Sequence, residues 1–275
     1  MAGRKADDVN RAVMRSVGRS LLNALLTLVI VLALWWAVVN LTNISPYVAK
    51  GPAEVWQFLF TDEDAAQNRA DLAPLLVQTL QDAALGFVVG MLVALVLALA
   101  FSLSKAIEAG VMPLALLLRS IPLVAIAPVI ILITGRGTPA SVAVIGSIVV
   151  LFPALASILF GLSRASKESL DLVHVYGGGR WSQLRKVNLP GALPSLFAAA
   201  RVSVPGAVTG ALLAEWLSTG QGIGGMIVKF TATAKFDDLW ASVALITILT
   251  LVLYNVVQVL ENAVLARMGM TTSAR

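Results

Sequence analysis

Apolar runs of roughly twenty residues recur along this chain, each about the length that carries an α-helix across a hydrocarbon core of about 30 Å. Inside lipid no water is available to the backbone, so a spanning segment must satisfy its own N–H and C=O groups, as a helix does. Charged residues make up only 13% of the chain, against about 25% in soluble domains, and 58% of residues are apolar. The fold class that follows is all-α: a polytopic membrane protein.

Six spans fit the runs, at roughly 20–40, 76–103, 109–134, 139–162, 194–217 and 239–265. The connection from Leu41 to Ala73 carries Pro46, Gly51, Pro52 and the acidic cluster Asp62-Glu63-Asp64. Pro122 and Pro128 predict a kinked third span, tolerable where neighbours take up the freed carbonyls. The apolar run from Leu21 to Val39 is too long for a signal-peptide core of about 7–15 residues and lacks a small-x-small cleavage site. It reads as a retained first helix. One membrane domain is expected over 20–265, with a tail before it (1–19), a tail after it (266–275) and a large loop at 163–193. No internal repeat is evident, which weighs against a carrier built from inverted halves.

Lysine and arginine set the orientation. With the N-terminus inside, thirteen fall in inner segments: Arg4, Lys5, Arg11, Arg15, Arg19, Lys105, five from Arg164 to Lys186, Arg267 and Arg275. Five fall outside: Lys50, Arg69, Arg136, Lys229 and Lys235. The bias places both termini in the cytoplasm. Trp35, Trp36, Trp216 and Trp240 fall at the outer ends of their spans, where an interfacial aromatic belt belongs. The net charge of +5 is explained by the same bias and gives no reason to expect nucleic acid. With no cysteine, disulfides and thiolate chemistry are excluded, and a single histidine, His174, excludes a His cluster.

The loop from Ser163 to Leu193 is a polar, basic island. Ser166 can cap a helix that opens with Lys167, Glu168 and Ser169, along which Leu170, Val173 and Gly177 line one side. Gly177-Gly178-Gly179 allows the chain to end that helix and reverse. A second helix from Arg180 to Asn188 aligns Trp181, Leu184 and Val187, and Pro190 suits the start of the next one. Two short helices with an apolar ridge suit a groove on a partner. On these residues alone the alternative is a loop lying on the membrane, its arginines meeting anionic lipid.

The residues Asp171-Leu172-Val173, three more, Gly177, nine more, then Val187-Asn188-Leu189-Pro190 have a recognisable spacing. It resembles the Glu-Ala-Ala, Gly, Ile-x-Leu-Pro loop signature of permeases in binding-protein-dependent ABC importers. Arg119-Ser120-Ile121-Pro122, Gly177-Gly178-Gly179-Arg180-Trp181, Leu189-Pro190-Gly191-Ala192-Leu193-Pro194, and Ala214-Glu215 followed by Gly222-Ile223-Gly224 resemble one branch. That branch handles nitrate, sulfonates, taurine and bicarbonate, with thiamine-precursor and riboflavin relatives. Asp171 stands where glutamate is usual, and Leu172 and Val173 replace alanines, which implies a wider partner groove. The resemblance implies a bacterial inner-membrane subunit that docks ABC ATPases on this loop and pairs with a second permease, a copy of itself. It also implies an extracytoplasmic solute-binding protein. ATP and Mg would be held by the ATPase and no cofactor by this chain, which performs no covalent chemistry itself.

Gly220-Gln221-Gly222-Ile223-Gly224-Gly225 matches G-x-G-x-x-G, but a dinucleotide site needs a strand before it and a helix after it. A tight outer turn leading to a short gate helix near Met226 is the expectation. No G-x-x-x-x-G-K-[ST] occurs, so there is no P-loop. Ionisable groups within spans invite a functional reading. Arg119 and Arg201 could attract an anion, with Ser120, Thr134, Ser203 and Thr209 as hydroxyls along the path, and Pro122 and Glu215 near a gate. The alternative for Glu215 and Arg119 is snorkelling or structural pairing. From another class, an ion-coupled secondary transporter would leave the loop unexplained, and a membrane scaffold without transport predicts no solute-linked ATP hydrolysis when receptor and ATPase are added.

Overall fold

The computed structural model describes Leu26, residues 28–42 and residues 44–268. The basic residues from Arg4 to Arg19, the start of the first span and Arg275 lie outside the described residues. Helix α1 is Leu28–Leu41. It is followed by α2, Pro52–Trp56, which widens into a π turn at Gln57–Thr61. Next come α3 (Ala65–Leu103), α4 (Lys105–Ser120), α5 (Leu123–Thr134), α6 (Pro139–Ser163) and α7 (Lys167–Val175). Helix α8 runs Arg180–Thr219, then α9 spans Gly222–Ala232 and α10 Phe236–Arg267. No strand occurs among the described residues.

Four of these helices, α3, α6, α8 and α10, are long and apolar enough to cross a membrane. Helices α1, α5 and α9 are shorter apolar pieces. The expected second span begins earlier than residue 76, because α3 extends to Ala65 and carries Pro74 within it. The expected third span is not one kinked helix but two. Pro122 has no N–H to give and pushes the residue before it out of helical geometry, and Ile121 takes φ −79°, ψ 126°. Pro128 stays inside α5.

The second loop helix also differs from the expectation. It does not stop at Asn188 but continues through Pro190 into the expected fifth span, giving a helix of 40 residues. A π turn at Leu184–Asn188, with the Leu189 N–H bonded to the Leu184 carbonyl, loosens the backbone just ahead of the proline. The widened turn gives Pro190 the room an α-helix would deny it.

Contacts divide the chain into two units, one of residues up to Asn68 with Ala234–Ala241, the other of Arg69–Thr233 with the residues from Ser242. In the smaller unit Trp35 stacks on Trp240 at 5.8 Å between ring centres. The Trp35 indole donates to the Lys50 carbonyl and the Trp240 indole to that of Val48, at 3.1 and 2.9 Å. Tyr47 meets Phe236 edge-on at 5.3 Å, and Lys50 pairs with Asp237 at 3.1 Å. Two of the four tryptophans assigned to the interfacial belt are thus packed on each other, with their N–H groups satisfied.

In the larger unit α6 makes its most extensive contact with α8. The core there is built of small side chains, among them Ala94, Ala98, Ala154, Ala192, Ala199 and Ala207, with Phe101, Val150, Leu155 and Ile158 between them. Such residues let helices approach closely in lipid, where packing replaces the hydrophobic drive. The closest approach is at Gly146. A Cβ on Gly86 of α3 would lie 2.8 Å from the Gly146 Cα, and a Cβ on Gly210 of α8 would lie 2.9 Å from it. Both obstacles are backbone and cannot rotate away. A Cβ on Gly146 would lie 2.9 Å from the Gly86 Cα, so we expect Gly146→Ala to cost about 1–3 kcal/mol by forcing α6 away from α3, read as a lower thermal midpoint of the purified chain in lipid nanodiscs.

Candidate functional site: the glycine-hinged knob and the glycine-rich turn

One end of the α6–α8 pair carries the knob. Ser166 caps α7 as its sequence predicts, its Oγ accepting from the Ser169 N–H at 3.2 Å. Helix α7 closes with two reversed bonds, Gly177 N–H to the His174 carbonyl (2.9 Å) and Gly178 N–H to that of Val173 (2.8 Å). This is a Schellman ending, which needs a left-handed residue, and Gly177 supplies it at φ 78°.

The knob is tied to the helices around it. Gln183 donates to the Leu170 carbonyl at 3.2 Å, Asn188 to that of Leu162 at 2.9 Å, and Arg180 to that of Leu103 at 3.3 Å. The last two satisfy carbonyls at the ends of α6 and α3, which have no partner within their own helices. The aligned residues Leu170, Val173 and Val187 are half-buried and Leu184 is buried, so that row faces the protein. The free apolar face is the next one round: Leu172, Val175 and Tyr176, with Trp181 beside them, exposed by 59, 81, 84 and 61%. Asp171, Gly177, Arg180, Leu189 and Pro190 are exposed as well. A concavity of about 220 Å³ lies between Leu172, Val173, Tyr176, Gly178 and Lys186. Val175 and Tyr176 escaped the sequence analysis because spacing gives a helix a stripe without saying which stripe meets the rest of the chain.

The other end of the pair carries a buried polar node. Glu215 has no exposed surface; its Oε2 accepts from the Thr79 hydroxyl at 3.0 Å and from the Gly224 N–H at 2.7 Å. The Thr79 hydroxyl in turn accepts from the Ile223 N–H at 2.9 Å. Two first-turn amides of α9 are therefore capped by side chains from α3 and α8. The four glycines of the G-x-G-x-x-G match serve this packing. Gly220 and Gly222 have φ 68° and 63°, and a Cβ on Gly222 would strike the Glu215 carboxyl. A Cβ on Gly224 would strike Leu212, and one on Gly225 would strike Gly220. The turn leads straight into α9, which begins before the expected Met226. Ser218 bonds Ser141 at 2.8 Å and accepts from the Gly137 N–H at 3.0 Å, fastening the α5–α6 turn to α8.

The proposed pathway residues are dispersed. Arg119, Ser120, Pro122 and Thr209 are exposed, while Ser203 has no exposed surface. The hydroxyls of Ser120, Thr134 and Thr209 donate within their own helices, to Leu117, Ile130 and Pro205. Arg201 is paired with Glu261 at 3.3 Å and lies over the Tyr254 ring at 5.8 Å. Beside Thr209 an open groove of about 680 Å³ runs between α8 and α9, lined by Leu212, Leu213, Trp216, Ile227 and Thr231. Thr79 and Asp82 were missed; the signal was an acid and a hydroxyl one turn apart within a span.

The family model for the binding-protein-dependent transport system inner membrane component matches residues 86–270. The chain belongs to that family. It is 31% identical over 234 residues to a probable ABC transporter permease protein of Haemophilus influenzae, covering 85% of this chain and 93% of that one. It is 28% identical to the riboflavin transport system permease protein of Chloroflexus aurantiacus, over 86% of each chain. With the taurine transport system permease protein of Escherichia coli the identity is 25%, over 89% and 86%. An amino acid ABC transporter with histidines superposes with a TM-score of 0.56 at 17% identity, over 72% of this chain and 97% of that one. The methionine ABC transporter in inward-facing conformations gives 0.53 at 19%, over 74% and 99%. At such identities the structural likeness establishes the fold. This ABC permease sits in the branch whose members are named for taurine, sulfonates, riboflavin and a formylaminopyrimidine.

In this permease the node stands on buried hydrogen bonds. Thr79→Val keeps the side-chain shape and strands the Ile223 N–H, at an expected cost of about 1–3 kcal/mol. The check is a thermal melt in nanodiscs, together with faster amide exchange over the first turn of α9.

Proposed function

We propose that this chain is the solute-conducting subunit of an ATP-driven importer, with six spans, both termini in the cytoplasm and α7 as the element that engages an ABC ATPase. The permease domain covers 20–265 between two short tails. A second permease, a copy of this one, completes the pathway, and a binding protein outside the cell delivers the solute. The observation that carries this reading is the exposed face of Leu172, Val175 and Tyr176 on a helix capped at both ends, together with the exposed Trp181 at the start of α8. Large apolar side chains that far out of a polar loop are costly in water and are covered when seated in a groove. Their position within the signature from Asp171 to Pro190 supports an ATPase as the partner. ATP and Mg would then act in that partner, which closes on a second copy and moves α7, and with it α8.

The solute class is a small organic or inorganic compound of the nitrate, sulfonate or taurine kind, or a vitamin precursor of the pyrimidine or flavin kind. Two observations favour the second. Arg201 is neutralised by Glu261 and so is not a free lure for an anion. The groove beside Thr209 and Trp216 offers hydroxyls, aliphatic side chains and one indole, and no charge. Such a lining suits a flat, uncharged ring.

The test uses the permease purified with its ATPase from the native host. Gly177→Val puts a β-branched residue at φ 78°, a strain of about 1–2 kcal/mol that the Schellman turn cannot absorb without reshaping. Expected is loss of most of the co-purifying P-loop ATPase while the variant stays folded and membrane-inserted. Full recovery of the ATPase with Gly177→Val removes the knob from the coupling role. For the solute, ATP-dependent uptake into vesicles supplied with ATPase and binding protein should favour riboflavin or a formylaminopyrimidine over taurine and nitrate. Uptake that proceeds without ATP and follows an ion gradient would instead support the ion-coupled reading.

A further inference from the structure

Two acids lie buried in the node, and each has an oxygen with no protein donor among the described residues. Asp82 is 7% exposed and Glu215 not at all. Asp82 Oδ1 accepts from the Gln78 side chain at 3.1 Å and Glu215 Oε2 from Thr79 and Gly224, but Oδ2 and Oε1 have no donor. The two carboxyls are within hydrogen-bonding reach of each other. The geometry of α3 explains why: Thr79, which holds Glu215, and Asp82 are three residues apart and share a helix face.

What faces the pair limits how it can be satisfied. From α9 come Gly222 and the amides of Ile223 and Gly224, already spent on Thr79 and Glu215. Ala83, next to Asp82 in the chain, shares an apolar cluster with Ile223 and with Ile246 and Leu249 of α10. On α8 the Ser218 hydroxyl, three residues beyond Glu215, is committed to Ser141 of α6. Lys50, Lys105 and Arg201 are each paired with another acid, Asp237, Glu108 and Glu261. Two ionised carboxylates cannot bond to each other, since both are acceptors only. Burying both charges without a partner is far more costly than burying one. A hard cation would want six or so oxygen ligands, and two orphan atoms do not make such a cage.

We propose that Asp82 and Glu215 hold a single proton between Oδ2 and Oε1, one acid donating to the other's carboxylate. That O–H···O bond satisfies both orphan oxygens and leaves one negative charge in the node instead of two. The Gly224 amide and the Thr79 hydroxyl, both donating to Glu215 Oε2, help to solvate the remaining charge. The proton is thus a resident ligand that lets α3 and α8 meet and keeps the first turn of α9 in place. This role is independent of whether α7 engages an ATPase.

The measurement is infrared spectroscopy of the full-length permease in nanodiscs at neutral pH, in H₂O and in D₂O. The expected result is a protonated-carboxyl C=O band that shifts in D₂O, is lost in Asp82→Asn and in Glu215→Gln, and persists in Glu261→Gln. Asp82→Asn should melt close to wild type, because its amide N–H supplies the donor that the proton supplied. Asp82→Leu, which supplies none, should melt well below it. Absence of the band in the wild-type chain, or its survival in Asp82→Asn, overturns the proposal. So does an Asp82→Asn chain that cannot be recovered folded, since the amide replaces what the proton provides.

Discussion

At Gly146 three helices touch backbone to backbone, and much of the larger unit follows from that contact. With no Cβ on Gly86, Gly146 or Gly210, helix α6 lies against both α3 and α8. Lipid gives little reason for apolar helices to associate, so the attraction must come from close packing and from polar groups that find partners. The alanine-rich core next to the glycines supplies the first. Hydrogen bonds at either end of the α6–α8 pair supply the second: Asn188 to the end of α6 at one, Ser218 with Ser141 at the other.

That pair joins the two functional regions. Helix α8 is a single rod of 40 residues with a π turn near each end, Leu184–Asn188 by the knob and Glu215–Thr219 by the node. A π turn shifts the phase of a helix, and here each shift re-aims the residues that follow. At the first, Pro190 enters the helix without breaking it. At the second, Glu215 comes to lie against Thr79 and the turn of α9. A displacement of the knob would act on the long arm of this rod, and the node is where it would be resisted.

Much of this was legible in the sequence. The boundaries of α7, its serine cap and its left-handed glycine follow from local chemistry, because a cap and a Schellman turn involve neighbours in the chain. The signature spacing survives for the same reason. What was not legible involves partners far apart. Leu170 and Val173 face inward and Leu172, Val175 and Tyr176 outward, a choice made by where α8 packs. Pro122 interrupts the third span while Pro190 and Pro205 stay inside α8, although each lacks the same N–H. By sequence Glu215 suits a gate or a snorkelling side chain, whereas its carboxylate caps another helix by accepting from the Gly224 N–H.

The sequence by itself determined that the chain crosses lipid as helices and belongs among ABC import permeases. Length, apolarity and a loop motif are local properties, fixed by the bilayer's thickness and its inability to bond to a backbone. Only the tertiary structure decided that the glycine-rich segment is a turn clamped on a carboxylate, and that Arg201 is neutralised by Glu261. It also brought Asp82, Thr79 and Glu215 together. Those outcomes depend on which faces of α3, α8, α9 and α10 meet, and helical periodicity carries no record of the neighbour a face will find.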